Sequence, residues 1–209
     1  MNRCAILGAS GHGKVVADIA ECNGYSQIDF FDDRWPQLTR HECWAVQGNT
    51  EALLADVEKY DLVVVSIGNN TVRLEKQRIL KDAGGTFKAL VHPKAIVSHY
   101  AQVGAGSVVM ANAVVGSFAN VGQACIINTS SSVDHDCVLL DGVHISPGAN
   151  LAGNINVGEG AWIGIGAQVK QLINIGSFSV IGAGATVVSD IPNNKVAFGI
   201  PAKCINDFR

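Results

Sequence analysis

The chain has 209 residues, of which 48% are hydrophobic and only 16% charged, with a formal net charge of −3. A slightly acidic chain lacks the basic stripe of a nucleic-acid binder, and no window reaches the roughly 18 apolar residues of a membrane-spanning helix. The first residues enter an apolar strand with no signal-peptide layout, and the six cysteines (Cys4, Cys22, Cys43, Cys125, Cys137, Cys204) form no CxxC pair. A soluble cytoplasmic protein with buried free thiols is expected, bound to neither nucleic acid nor membrane.

Residues 1–92 alternate strand and helix patterns. Ala5-Ile6-Leu7 reads as a buried strand, Gly8 to Gly13 as a Gly-rich turn, and Lys14 to Asn23 as a helix stopping at Gly24. Ile28 to Phe31 is a second strand ending at Asp32-Asp33. Residues 34–48 read as a loop around Trp35 and Trp44, and Thr50 to Val57 as a short helix. Leu62 to Ile67 is a third strand closed by Gly68-Asn69-Asn70; Thr71 to Ala83 is helical, and Phe87 to Val91 is a last strand. This alternation predicts a small Rossmann-like α/β domain with a parallel sheet. His92-Pro93 is the joint into a second domain, 93–209.

From Ala95 to Asp190 the chain repeats every six residues, AIVSHY, AQVGAG, SVVMAN and onward through 16 hexads, with an aliphatic third residue each time. Neither a helix of period 3.6 nor a strand of period 2 has this pattern. A hexapeptide β-solenoid does, three hexads closing one triangular coil and the third residue pointing inward. Ile191 to Arg209 form a tail containing Gly199-Ile200-Pro201-Ala202-Lys203.

In the first domain, Gly8-x-x-Gly11-x-Gly13 lies between strand and helix, where glycines let an anion approach the backbone and the helix N-terminus supplies N–H groups. Asp32, 19 residues after Gly13, suits a ribose hydroxyl. The spacing departs from GxGxxG and the domain is short, so a single nucleotide fits better than a dinucleotide. A tight turn without ligand, and solvated Asp32 and Asp33, remain open at this point. Gly68-Asn69-Asn70 falls on the same carboxyl edge of the sheet.

In the solenoid, His135 stands fifth in its hexad, outside the core, between Asp134 and Asp136. A carboxylate orients a histidine and makes it more basic, as a general base near neutral pH requires; a surface histidine in a charged turn is the plain alternative. His144 lies nine residues on, about one and a half faces of a coil, so in one chain the two rings point to different sides. They meet only where neighbouring solenoids pack together. A zinc site needs a third ligand; His99 is two coils away and Cys137 is a conceivable one, and no metal is expected.

The whole chain resembles the bacterial nucleotide-amino-sugar acetyltransferases of the PglD and sialic acid O-acetyltransferase type. The matching stretches are 5–21 (AILGASGHGKVVADIAE), 30–33 (FFDD), 66–70 (SIGNN), 127–154, 162–169 (WIGIGAQV) and 199–203 (GIPAK). The resemblance implies a Rossmann-like nucleotide-sugar domain joined to a left-handed parallel β-helix that forms a homotrimer and binds acetyl-CoA. It makes His135 the general base and Asp136 its acidic neighbour; the shorter Asp, where a relative has Glu, is expected to orient His135 less directly. It places His144 at the acetyl thioester and Gly153, Ile165 and Ala183 along the pantetheine groove. Ser10, Gly11 and His12 would hold the phosphates or sugar, with Asp32, Asp33 and Gly68 around the nucleoside and Asn128 beside the sugar. GIPAK would close over the adenine end.

The implied reaction is direct acetyl transfer from acetyl-CoA to the 4-amino group of a nucleotide-linked (UDP) 4-amino-4,6-dideoxy sugar, with a backbone N–H near Gly153 facing the oxyanion. The alternatives are O-acetylation of sialic acid or another sugar, a metal-dependent hydratase of gamma carbonic anhydrase type, and a non-catalytic nucleotide-sugar binding protein.

Overall fold

The computed structural model describes residues 2–205, and the chain divides into two compact units, Met1–Pro93 and Lys94–Arg209. None of the described helices is long and apolar enough to cross a membrane.

The first unit is built from β1 (Arg3–Leu7), α1 (Gly11–Cys22), β2 (Gln27–Phe31), β3 (Arg40–His41), β4 (Trp44–Gly48), α2 (Thr50–Asp56), β5 (Leu62–Val65) and α3 (Asn70–Asp82). The sheet order is β3-β4-β2-β1-β5. All neighbours are parallel except β3 and β4, which form an antiparallel hairpin. The chain therefore crosses from one side of β1 to the other between β4 and β5. That topology opens a crevice at the carboxyl ends of β1 and β5, where open α/β sheets bind ligands. Beneath it, Leu7, Leu53, Val63, Val65 and Leu80 are buried with Phe31 and Tyr60, each large side chain contributing about 1.5–3 kcal/mol by leaving water.

Three local expectations differ from the fold. Helix α1 begins at Gly11, not Lys14. A Cβ on Gly13 would sit 2.4 Å from the Gly8 carbonyl oxygen and 2.9 Å from the Phe30 ring, so the glycine serves close helix–strand packing inside the first helical turn. The segment 34–48 is not simply a loop: it carries the hairpin whose second strand, β4, extends the sheet. Trp44 sets it down, its ring 5.5 Å from Phe30 and its Nε1 donating to Glu21 at 3.1 Å. At the end of the unit only Leu90–Val91 is a strand, and 86–89 are irregular; Thr86 accepts the Val63 N–H through its carbonyl at 2.8 Å.

The second unit is the solenoid. Strands of two residues occupy the second and third places of each hexad, and each pairs in parallel with strands 18 residues away, as Val115 does with Val97 and Val133. Face one contains Ser132–Val133, face two Val138–Leu139, face three His144–Ile145. The third-place side chains are buried from Val109 to Val187, but so is the first place, which holds Ser107, Cys125, Ser131, Cys137, Ala149 and Ile155. Buried hydroxyls there are satisfied: Ser107 Oγ donates to the Gly122 carbonyl at 2.7 Å and accepts from the Cys125 N–H at 2.8 Å. All six cysteines are free, and Cys4, Cys125 and Cys137 are buried, while Cys22, Cys43 and Cys204 are exposed against expectation, on a helix end and loops or edges without a core to enter.

The sixth place of every hexad from Gly106 to Gly184 is a left-handed corner, φ +52° to +75°. Glycine fills fewer than half of these corners; Asn112, Phe118, Ser130, Asp136, Asn154 and Leu172 are among the others. The tail extends face three: Val196–Gly199 runs parallel to Val180–Ile181 and turns back as the antiparallel strand Ala202–Ile205.

Candidate active site

Asp136 is one of the left-handed corners, at φ +58°, a conformation that Asp tolerates better than longer side chains. The corner throws its carboxylate back on the preceding residue, so that His135 Nδ1 and Asp136 Oδ2 stand 2.7 Å apart. The short side chain thus orients His135 directly, contrary to expectation, because the corner supplies the bend that a longer side chain would otherwise provide. The backbone beneath is fixed: the His135 N–H donates to Asp134 Oδ1 at 2.7 Å, the Asp136 N–H to the Ser117 carbonyl at 3.0 Å, and the Asn154 N–H to the His135 carbonyl at 2.8 Å.

With Nδ1–H donated to the carboxylate, Nε2 carries the lone pair. The ring lies across Gly153, one coil above in the same hexad place; a Cβ there would be 2.4 Å from Nε2 and 2.5 Å from Cε1. The bond to Asp136 holds the imidazole above its ordinary pKa, burial opposes it, and the charges of Asp134 and Asp136 add smaller contributions to the rise. His135 and Asp136 are both more than half exposed, open to a substrate.

His144 occupies the outward second place of a face-three strand. Its ring stacks on Trp162, one coil on, with centroids 5.4 Å apart and planes 15° apart. Asn128 Nδ2 lies 3.1 Å from His144 Nε2. Asn128 and His144 thus belong to one cluster, whereas His135 and Gly153 form another at the corner between faces one and two. Ile165 and Ala183 stand in the corner after face three, with Ile165 exposed and its carbonyl held by the Gly184 N–H at 2.8 Å.

In the first unit the Gly-rich segment divides into two kinds of glycine. Gly8 (φ +114°) and Gly13 are required by packing, whereas a Cβ on Gly11 or Gly68 would meet nothing within 4 Å. These two leave the backbone open at the carboxyl edge, where an anion could reach the first N–H groups of α1. Ser10 precedes that helix, and its carbonyl is 3.0 Å from His41 Nε2. His12 lies in the first turn with Nε2 buried and without a hydrogen-bond partner among the described residues. Burial and the nearby Arg73 cation push its pKa down to about 4.

Asp32 is engaged within the unit. It accepts the Ala9 N–H at 2.8 Å and a bidentate contact from Arg34, at 2.7 and 2.9 Å. The Arg34 fork holds its carboxyl down at about 2. Asp33 accepts the Thr50 N–H at 2.9 Å and pairs with Lys76 at 3.0 Å.

Three residues that the sequence reasoning missed matter here. Arg34 ties Asp32 to the Ala9 carbonyl at 2.6 Å. Arg73, only 1% exposed, holds the loop after β5 through the carbonyls of Ile67 (2.9 Å) and Gly68 (3.3 Å). Trp162 was readable, since it stands 18 residues, one full coil, after His144. Among the described residues, the group whose metal-ligand atoms gather within 4.8 Å of one another is Asp18, Cys22 and His92, not a set containing His135 or His144.

Residues 3–80 match the family model described as the PglD N-terminal domain. The acetyltransferase domain of PglB from Neisseria gonorrhoeae FA1090, solved in complex with acetyl coenzyme A, is similar with a TM-score of 0.94 and 42% identity, over 98% of this chain and 100% of that one. PerB from Caulobacter crescentus, solved with CoA and GDP-perosamine, gives a TM-score of 0.92 and 34% identity, over 99% of this chain and 98% of the other. The UDP-N-acetylbacillosamine N-acetyltransferase of Bacillus subtilis (strain 168) is 37% identical over 117 residues, 53% of this chain, so the match spans about half (52%) of that relative. With relatives of this identity along its whole length, the chain belongs to the PglD-type family of sugar acetyltransferases.

Proposed function

We propose that the protein transfers an acetyl group from acetyl-CoA to the 4-amino group of a nucleotide-linked 4-amino-4,6-dideoxy sugar, with UDP as the carrier. The observation that carries this reading is the His135–Asp136 pair, 2.7 Å apart on an exposed corner with Nε2 unencumbered. It is supported by relatives whose names give acetyl coenzyme A, a UDP-linked amino sugar, or CoA together with GDP-perosamine.

The chemistry follows from those atoms. The substrate amine attacks the thioester carbonyl, and His135 Nε2 accepts the ammonium proton while Asp136 steadies the charged ring. The tetrahedral oxyanion then collapses, the C–S bond breaks, and the CoA sulfur leaves with the proton returned from His135. A thioester is already activated, so no serine or cysteine nucleophile is required. The open Gly11 and Gly68 edge of the first unit suits a nucleoside diphosphate, with Ser10, His12, Asp32 and Asp33 around it. Gly153, Ile165, Ala183 and His144 are assigned to the coenzyme.

A homotrimer completes the reading. His135 and His144 occupy different parts of one coil, and the solenoid exposes Phe118, Trp162, Ile165 and Leu172, apolar surface suited to neighbouring copies. A cytoplasmic setting is supported by free thiols at Cys22, Cys43 and Cys204.

The test is thiol release from acetyl-CoA with UDP-, dTDP- and GDP-linked 4-amino sugars beside free and CMP-linked sialic acid. Release with a UDP amino sugar, lowered about 10²–10⁴-fold by His135→Ala, is expected. Release with sialic acid alone, or His135→Ala turning over normally, would overturn the assignment.

A further inference from the structure

The cluster around His144 is built more closely than a ring that merely lines a groove. The Thr129 N–H donates to Asn128 Oδ1 at 2.8 Å, which fixes the orientation of the Asn128 amide and leaves Nδ2 as the donor 3.1 Å from His144 Nε2. An amide donor requires an acceptor, so Nε2 carries the lone pair and the ring proton sits on Nδ1. The Asn128 carbonyl is itself tied down, accepting from Ser131 Oγ at 2.7 Å. From the other side, the Trp162 indole lies nearly parallel to the imidazole, and its Nε1–H donates to Ser146 Oγ at 2.7 Å, so the indole is anchored at its far edge.

We propose that Asn128 and Trp162 are positioning residues for His144: Asn128 sets its tautomer and Trp162 its plane. This rests on the reading that His144 meets the thioester end of acetyl-CoA, and it reassigns Asn128, whose amide engages His144 rather than the sugar. With Nε2 held by Asn128 and Nδ1 buried, His144 shapes the coenzyme site while the substrate proton goes to His135 alone. General base and coenzyme platform are thus two histidines held in different ways, one by a carboxylate and one by an amide.

The experiment is nitrogen-15 NMR of the histidine rings in the full chain, with His144 identified from its loss in His144→Gln. Wild type is expected to show His144 protonated at Nδ1. Asn128→Asp, which replaces the donor by an acceptor, is expected to move the proton to Nε2, and Asn128→Ala to give a tautomer mixture. In kinetics, Asn128→Asp and Trp162→Ala are expected to raise the KM for acetyl-CoA about tenfold, the scale of one lost hydrogen bond or ring contact. The KM for the amino sugar stays within about twofold on the same scale, and Trp162→Phe, which keeps a stacking ring, recovers most of the loss. Nε2-protonated or rapidly exchanging His144 in the wild type overturns the proposal. So does an Asn128→Ala variant whose defect is confined to the sugar KM. Were the wild type inactive on every sugar, the function assignment would fail, yet the tautomer spectra and calorimetric acetyl-CoA affinities of the same variants would still decide this proposal.

Discussion

Gly153→Ala separates the chemistry from the fold. The added Cβ would stand 2.4 Å from His135 Nε2 and 2.5 Å from Cε1, against roughly 3.5 Å for an ordinary contact. The imidazole must therefore shift by about 1 Å, away from the line that its bond to Asp136 imposes. Because the ring stands on an exposed edge, moving it disturbs nothing underneath. Gly153 is not in the left-handed region, so alanine is free of backbone strain and stiffens the unfolded chain, a gain of about 0.4–1 kcal/mol. A misplacement of about 1 Å in a catalytic group is worth roughly 10²-fold in rate. The expected variant has an unchanged or slightly raised Tm and a kcat lowered about 10²-fold, measured by thiol release and thermal unfolding together. Gly116→Ala is the control. Its Cβ would meet backbone, 2.8 Å from Asp134 C and His135 N, and such overpacking costs about 1–3 kcal/mol of stability. Near-normal turnover in Gly153→Ala would refute the view that the ring must lie flat on that glycine.

The pH dependence of kcat/KM follows from the proposed role of His135 as the unprotonated base. Its pKa is raised by Asp136, so activity is expected to climb with pH through a midpoint above the ordinary value of about 6.5. Asp136→Asn should lower both the rate and that midpoint, and an unmoved midpoint would assign the titration to another group. His12 predicts an effect on stability instead. Its folded pKa of about 4 lies below the unfolded value of about 6.5. The unfolded chain therefore binds the extra proton between those values, and stability present above pH 6.5 is lost as pH falls toward 4. The loss is about 2–3 kcal/mol. Urea unfolding at pH 7.5 and 4.5 should show it in wild type and not in His12→Gln. Asp32 does not interfere, since its carboxyl, at about 2, titrates below this window.

Much of this was legible because the solenoid writes its geometry into spacing. A period of six names the inward third place, and three sixes name the partner one coil away; His135 over Gly153 and His144 beside Trp162 both follow from adding 18. The buried first place was harder to see, since Ser, Cys and Ala are small and carry a weak apolar signal at best, and a serine hydroxyl such as that of Ser107 finds its partners only when coils stack. In the first unit the pattern of strands was plain, but the Arg40–Gly48 hairpin was not. β3 has two residues, too few for any periodicity, and the hairpin's placement depends on contacts of Trp44 with Phe30 and Glu21, which are remote in sequence. Arg73 was invisible for the same reason: a charged residue on a helical pattern reads as solvent-facing until carbonyls from the loop before it are found around it.

The repeat also explains why a catalytic group can arise on it without loss of fold. The first and third places are filled by the core, and the sixth must take a left-handed turn whatever residue fills it. At the fifth place His135 is tied to the solenoid through its backbone N–H and carbonyl, so its side chain is left to chemistry. Placing Asp at the next corner adds the orienting carboxylate, because the turn that closes the coil also folds that side chain onto its neighbour. The glycine one coil above supplies the flat floor. Three adjacent requirements of a general base, namely exposure, an orienting acid and a fixed ring plane, are thereby met by positions that the core does not use. Exchanging any of them should change turnover well before it changes stability, in contrast to the third-place aliphatics, whose truncation to alanine should remove about 2–5 kcal/mol and leave no folded coil to assay.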